Sequence, residues 1–383
     1  MKVLITTDLY AVTTNGVVTS VRNLYEELTQ AGHDVRILTL SSNKRSRRIG
    51  DVYYIRSVSI GYVYPDMRMP TSYRHRLIQE LIDWKPDVIH SQCEFFTFQY
   101  AQRIAKHTGA PIVHTYHTLY EQYFPYLLPS RRLGDQVVKT FSRVRLKKVE
   151  RVIAPSNKVK NVLEGYGLDN SISIVPSGID LSQHHNRMTP GQRQEKRAEL
   201  GIGPEDLVLL NLGRLGNEKR LDELLLFFGR VLQERRNLVF LIVGDGPARA
   251  QLEKLRDSLG LADSVIFTGM VEPGSVQEYY QIADLFVSAS TSETQGLTFV
   301  EAAANGLPLL CREDPCLQEV LQKGINGYTY TDQDGFLAAL AAIADDPDWR
   351  GAAADHSRRI ADAFDKSTFG DTVEAIYEDI VKK

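Results

Sequence analysis

Two doubly wound α/β domains are the architecture this sequence predicts. Three observations predict it: short β-branched apolar runs alternate with longer amphipathic segments from end to end, the alternation stops once and restarts, and 383 residues exceed one ordinary core. Runs this short and apolar suit parallel strands covered on both faces by crossover helices.

In the first half the runs are KVLITTD (2–8), DVRILTLS (34–41), DVIHSQ (87–92), PIVHTYH (111–117), RVIAPS (151–156) and ISIVPSG (172–178). Between the first two, Val17, Val21, Leu24 and Leu28 recur at helical spacing. Residues 182–206 are polar, contain Pro and Gly, and read as a linker with one short helix. The rhythm then returns with LVLLNLGR (207–214), LVFLIVGDG (238–246), VIFTGMV (265–271), LFVSAS (285–290) and PLLC (308–311). The last 18 residues read as a helix capped near Ser367, with Phe369, Val373, Ile376 and Ile380 on or near one face. The expected domains are therefore 1–182 and 183–365, with 366–383 a helix whose docking place the sequence does not give.

Composition sets outer bounds. Hydrophobic residues at 43% and charged ones at 24% exclude disordered and low-complexity classes. The formal charge of −3 does not report on partners, because a near-neutral total can hide a basic face. Cys93, Cys311 and Cys316 make no even-numbered framework, and the last two have no nearby histidine to complete a zinc site. The opening apolar run meets Asp8, so it is a buried strand rather than a signal peptide. No uninterrupted 18-residue apolar stretch occurs, so the expected location is cytoplasmic, with membrane contact from the surface alone.

Ligands of open α/β sheets bind beyond the carboxyl ends of the strands, so the loops leaving those ends carry the candidate chemistry. After strand 2–8, Gly16 opens a helix and lets backbone approach an anion; a simple turn glycine is the competing reading. After strand 207–214, Arg214 and Lys219 flank Gly216, and together they can grip a diphosphate, though a solvated basic loop has the same composition. GDGP at 244–247 reads as a structural turn. After strand 285–290 comes SETQGLTFVEA, where the amides of Gly296, Leu297 and Thr298 open a helix with Leu297, Val300 and Ala304 inward. Such amides favour an anion by roughly 0.3–1 kcal/mol. Glu293 and Glu301 flank that anion site as hydroxyl acceptors, a pattern suited to a nucleotide sugar; acids that merely complement the helix dipole are the alternative. His117, at the end of strand 111–117, is the histidine placed to contact a reacting group, whereas His114 reads as core.

Taken together, the Gly16 loop, HT at 117–118, GRL..EK at 213–219, GDGP and Glu293-x7-Glu301 resemble the retaining glycosyltransferases of family 4, which have the two-Rossmann GT-B architecture with a cleft between the domains. HTYHTLYEQY, VIFTGMVEP and SASTSETQGLTFVEA look most like the bacterial diacylglycerol glucosyltransferases, which make monoglucosyl-diacylglycerol from UDP-glucose. The resemblance implies an acceptor- and membrane-facing first domain and a second domain holding the nucleotide sugar. It implies that Arg214 and Lys219 bind the diphosphate, Glu301 the ribose, and Glu293 the hexose with the amides of 296–298. Met270 and Val271 would face the base, Gly16 would lie over the phosphates, and His117 would contact the hexose; His117, Arg214, Lys219 and Glu293 are the catalytic candidates. The family usually shows two adjacent glycines where this chain has Asn15-Gly16. No Asp-x-Asp pair ends a strand, so no metal and no cofactor beyond the co-substrate is expected.

SRRLGDQVVKTFSRVRLKKVER (130–151) carries eight cations, Arg131, Arg132, Lys139, Arg143 and Lys147 among them, against Asp135 and Glu150. Val137, Phe141 and Val144 share a helical face, so an amphipathic basic helix is expected to meet an anionic membrane, unless that stripe packs into the core. The expected partners are a nucleotide sugar, diacylglycerol or a related lipid, and the anionic membrane surface, with no nucleic acid. A same-fold hexosyltransferase acting on another lipid or a soluble glycan, and a non-catalytic sugar-nucleotide-binding regulator, remain as alternatives.

Overall fold

The computed structural model describes residues 1–10, 15–43, 45–61, 67–119, 131–168, 171–184 and 187–382. The chain forms two compact units, Met1–Ile179 with Lys366–Lys383, and Asp180–Asp365.

The first unit runs β1 (Lys2–Thr6), α1 (Gly16–Gln30), β2 (Asp34–Ser41), β3 (Arg47–Ile49), β4 (Val52–Ser59), β5 (Arg68–Pro70), α2 (Arg76–Trp84), β6 (Val88–Ser91), α3 (Phe96–Thr108), β7 (Ile112–Thr115), α4 (Arg131–Leu146), β8 (Arg151–Ala154), α5 (Asn157–Gly165) and β9 (Ile172–Ile174). Among the described residues these make a sheet ordered β3-β4-β2-β1-β6-β7-β8-β9, with β5 on β4. All pairings are parallel except β3 and β5 with β4. The topology reverses between β1 and β6, so the loops leaving those two strands share one crevice of the unit. The central strands are buried on both faces: Val3, Leu4 and Ile5 expose nothing.

The second unit continues with α6 (Pro190–Glu199), β10 (Leu207–Leu212), α7 (Leu221–Val231), β11 (Leu238–Val243), α8 (Arg249–Ser258), β12 (Val265–Gly269), α9 (Val276–Ile282), β13 (Leu285–Ser288), α10 (Leu297–Ala304), β14 (Leu309–Arg312), β15 (Gly327–Tyr330), α11 (Gln333–Asp345) and α12 (Pro347–Ala361). Its parallel sheet is ordered β12-β11-β10-β13-β14-β15 and reverses between β10 and β13. The polar stretch after residue 182 is held to this unit: Thr189 and Gln192 form a capping box, and Arg193 and Arg197 both donate to Asp284, at 2.6 and 2.7 Å.

The chain then returns to the first unit as α13 (Lys366–Val381), which packs on α1. Phe369, Val373 and Tyr377 are its buried anchors, each contributing about 1.5–3 kcal/mol by leaving water. Gly370 permits the close approach, since a Cβ there would lie 2.6 Å from the Cβ of Glu27.

Candidate functional site

The crossover in the second sheet sets the first group of candidates. The loop leaving β10 is zipped to the loop leaving β11: Leu215 N–H donates to Asp245 O at 2.9 Å, and Ala248 N–H to Leu215 O at 2.9 Å. Gly244, at φ +128°, makes this possible, because a Cβ there would fall 2.0 Å from Gly213 O. The GDGP turn is thus the brace of the loop that carries Arg214 and Lys219. Across the crossover, the loop leaving β13 carries Glu293. Lys219 Nζ donates to Glu293 Oε1, and Ser290 Oγ donates to the same oxygen at 2.8 Å. Arg214 donates instead to Glu218 and is 47% exposed, so a polyanion can reach it. The structure therefore brings Lys219 and Glu293 together and leaves Arg214 beside a carboxylate of its own loop.

Gly296 sits at φ +77°, where a Cβ would strike the Phe299 ring at 2.5 Å, and it ends the loop with no side chain to cap α10. Leu297 and Thr298 open the helix. The inward face is Phe299, Val300, Ala302 and Ala303; Leu297 and Ala304 are half-buried, so the face expected from Leu297, Val300 and Ala304 is turned by about one residue. Glu301, further along, accepts from the Tyr280 hydroxyl at 2.7 Å. Burial pushes its carboxyl up to about 6, and the Tyr280 hydrogen bond restrains that rise. Met270, just past β12, is 77% exposed, with Val271 half-buried beside it.

In the first unit, Gly16 is the first residue of α1, and the Asn15 side chain accepts from Val18 N–H at 2.9 Å. The asparagine that stands where the family has a glycine is an N-cap. His117 Nε2 lies 2.6 Å from Gln92 Oε1, past the end of β6. Burial, then the neighbouring His114, depresses the His117 imidazole to about 3, so it is neutral at ordinary pH. His114 is buried against Glu94, 2.9 Å from Oε1. His90 is held between the Tyr377 hydroxyl of α13 at 2.6 Å and Thr115 Oγ1 at 2.7 Å.

Sequence reasoning missed Gln92, Tyr280 and Asp8. Asp8 accepts from Thr97 N–H at 2.8 Å and Thr97 Oγ1 at 2.6 Å, and burial raises its carboxyl above the ordinary range. Asp8 and Gln92 both stand just beyond strand ends beside the β1/β6 crossover, a signal the sequence carried. Tyr280 reaches Glu301 from a different helix, and no spacing reveals that.

On α4 the buried positions among the described residues are Gly134, Val138, Ser142 and Leu146, whereas Val137 and Val144 are 44% and 59% exposed. Phe141 is half-buried, stacked on Phe95 at 5.5 Å, and Arg145 lies over its ring at 5.3 Å. The core-facing stripe is therefore offset by one to two positions from Val137–Phe141–Val144, and the two valines stand outward near exposed Arg143 and Lys147. Lys139 is exposed too, its Nζ donating to Gly165 O at 2.8 Å. The side chains of Arg131 and Arg132 lie outside the described residues. Among the described residues, no helix is long and apolar enough to cross a membrane, and no group of three or more His, Cys, Asp or Glu is placed to hold a metal ion.

Residues 14–183 match the domain family Glycosyltransferase Family 4, and residues 192–360 match Glycosyl transferases group 1. The alpha-monoglucosyldiacylglycerol synthase of Streptococcus pneumoniae is 34% identical over 91% of this chain and 79% of its own length. The chain belongs to glycosyltransferase family 4. A second alpha-monoglucosyldiacylglycerol synthase, from Acholeplasma laidlawii, is 30% identical to this family-4 enzyme over 100% of the chain and 98% of its own. Among solved structures, Anabaena HepE in complex with UDP superposes with a TM-score of 0.77 at 16% identity, over 99% of this chain and 100% of that one. Sucrose-phosphate synthase from Thermosynechococcus elongatus gives 0.78 at 20% identity, over 99% and 98%. The fold of this family-4 transferase is GT-B, and the protein is a hexosyltransferase.

Proposed function

We propose that this enzyme moves glucose from UDP-glucose to diacylglycerol at the inner face of the cell membrane, with retention of the anomeric configuration. The observation that carries the reading is the identity, across most of both chains, to two proteins named alpha-monoglucosyldiacylglycerol synthase. HepE, which shares the fold, has been crystallised with UDP-glucose, and this supports a nucleotide-sugar donor.

In this reading the sugar–phosphate bond loosens toward an oxocarbenium-like sugar and a UDP leaving group. Cations aimed at the diphosphate then strengthen as charge develops there. Arg214 and Lys219 take that role, and the uncapped amides at 296–298 assist them. Lys219 meets the phosphates by exchanging part of its contact with Glu293, which releases an acceptor for the hexose hydroxyls. Glu301 accepts from the ribose diol, Met270 and Val271 face the base, Gly16 lies against the phosphates, and neutral His117 contacts the hexose as a hydrogen-bonding group. No metal takes part. The outward valines and cations of α4 support docking on an anionic leaflet.

The test is UDP release and glycolipid formation with UDP-glucose and dispersed diacylglycerol, in the presence and absence of a chelator. Product that is α-linked and unaffected by chelation is expected. Turnover with another acceptor, such as an inositol phosphate, and none with diacylglycerol would overturn the acceptor assignment.

A further inference from the structure

A pocket of ≈ 220 Å³ lies within the second unit, lined by Leu181, His184, Arg187, Ala304, Arg358 and Asp362. Ala304 is the last residue of α10, so this pocket sits at the opposite end of that helix from Gly296, about 12 Å along its axis. It is separate from the loops assigned to the donor.

Its chemistry is cationic. Arg187 is exposed and has no hydrogen-bond or ion-pair partner among the described residues. Arg358 reaches Asp355 with Nη1 at 2.7 Å, while its buried Nε finds no partner. Burial first, and then the positive charge of Arg187, make the Arg358 guanidinium a weaker base than usual. Two like charges are therefore held near each other, and of the carboxylates only Asp362 joins them in the lining. The third polar wall, His184, is fixed in place: Asn305 Nδ2 donates to its Nδ1 at 2.9 Å, and the Gln277 amide lies 3.2 Å from its Nε2.

We propose that this pocket is a binding site for a phosphate group, as an ester or as the free ion, gripped by Arg187 and Arg358. Guanidinium forks match phosphate oxygens in pairs, and a bound anion offsets the repulsion between the two cations. The volume exceeds what a phosphate alone needs, and Leu181 and Ala304 offer an apolar wall to an organic substituent. Leu181, His184 and Arg187 follow the point where the chain enters the second unit at Asp180, and Asp362 precedes the return at Lys366. A ligand here ties the entering segment to the leaving one, which makes the site a lever on the stability of both.

The experiment is thermal unfolding of the full chain, with saturating UDP to occupy the donor loops, as inorganic phosphate is titrated. A parallel arm measures co-sedimentation with phosphatidylglycerol or phosphatidylcholine vesicles. Wild type and Arg214→Ala are expected to gain melting temperature with phosphate, whereas Arg187→Gln needs roughly tenfold more phosphate for the same gain. Response confined to phosphatidylglycerol vesicles, and weakened in Arg187→Gln, identifies a lipid phosphodiester as the source instead. Arg187→Gln is the primary variant because its side chain supports no other contact; Arg358→Gln, if folded, behaves the same way. The proposal is overturned if Arg187→Gln matches wild type in both arms, if wild type responds in neither, or if Arg214→Ala abolishes the phosphate response.

Discussion

Tyr280 and Glu301 face each other from adjacent helices, the phenol donating to the carboxylate at 2.7 Å. Burial holds the Glu301 carboxyl up to about 6, and the phenol keeps it from rising further. At pH 7 Glu301 is therefore ionised and can accept from a donor diol. Affinity for a nucleotide sugar is expected to fall as pH drops through about 6, because both phosphates of such a donor are already esterified and titrate far lower. Tyr280→Phe removes the influence that lowers the carboxyl, so the midpoint moves upward. Calorimetric titrations of UDP-glucose between pH 5 and 8.5 measure it; a midpoint that stays put or moves down excludes this coupling.

The same shift carries a cost in stability. The folded value of the Glu301 carboxyl, about 6, lies above the ordinary 4.5 of the unfolded chain, so its favourable contribution is complete only below about pH 4.5 and is lost as pH rises through 6. Glu301→Gln is neutral at every pH and escapes that loss. The variant is expected to be more stable than wild type at pH 8, by on the order of 2 kcal/mol, and indistinguishable near pH 4. Denaturant midpoints at the two pH values decide it, and donor affinity should fall in the same variant.

Lys219 and Arg214 are each paired with a carboxylate, and the two pairs predict different kinetics. Arg214→Ala leaves the Lys219–Glu293 contact intact and, in the proposed donor mode, removes a fork from the diphosphate. It should lower kcat by roughly 10²–10³. Lys219→Ala also removes the cation that donates to Glu293, so KM for the donor sugar should rise together with the fall in kcat. A drop below threefold for Arg214→Ala would remove it from the catalytic set.

Outward Val137 and Val144, set among exposed cations on α4, predict salt-sensitive membrane binding. Each cation near an anionic leaflet contributes about 1 kcal/mol. Replacing Arg143 and Lys147 with Gln should weaken co-sedimentation with anionic vesicles about tenfold or more at low salt, while the fold stays intact because neither side chain is buried. Equal binding of wild type to neutral vesicles would refute the electrostatic account.

The central parallel strands could be read in the sequence because burial on both faces leaves an unbroken apolar signature. β4 lacks that signature: buried Tyr53, Ile55 and Ser57 alternate with more exposed neighbours, as befits a strand near the edge with one face wet. β15 is short and starts at Gly327, which approaches Leu309 too closely for any side chain. Arg214, Lys219, Glu293 and Glu301 could be picked out as candidates because each lies on, or on the helix just after, a loop leaving the carboxyl end of a strand. Tyr280 and Gln92 were not, since each meets its partner only after two distant elements pack.

The Gln92 contact makes the last prediction. With the amide oxygen 2.6 Å from His117 Nε2, the proton sits on Nε2, and Nδ1 keeps its lone pair. Because the imidazole is depressed to about 3, its titration contributes no limb to the activity profile between pH 5 and 8. Gln92→Glu places a negative charge at the same atom, which favours the imidazolium and moves its ionisation toward neutrality. That variant should acquire an additional limb in the pH profile of kcat/KM, beyond the one that Glu301 gives wild type, with activity rising as the ring loses its proton. Gln92→Leu should instead lower kcat at all pH values alike, because the ring stays neutral but loses its fixed tautomer. If Gln92→Glu and Gln92→Leu give parallel profiles, the contact is packing and His117 does not act as a tautomer-fixed hydrogen-bonding group.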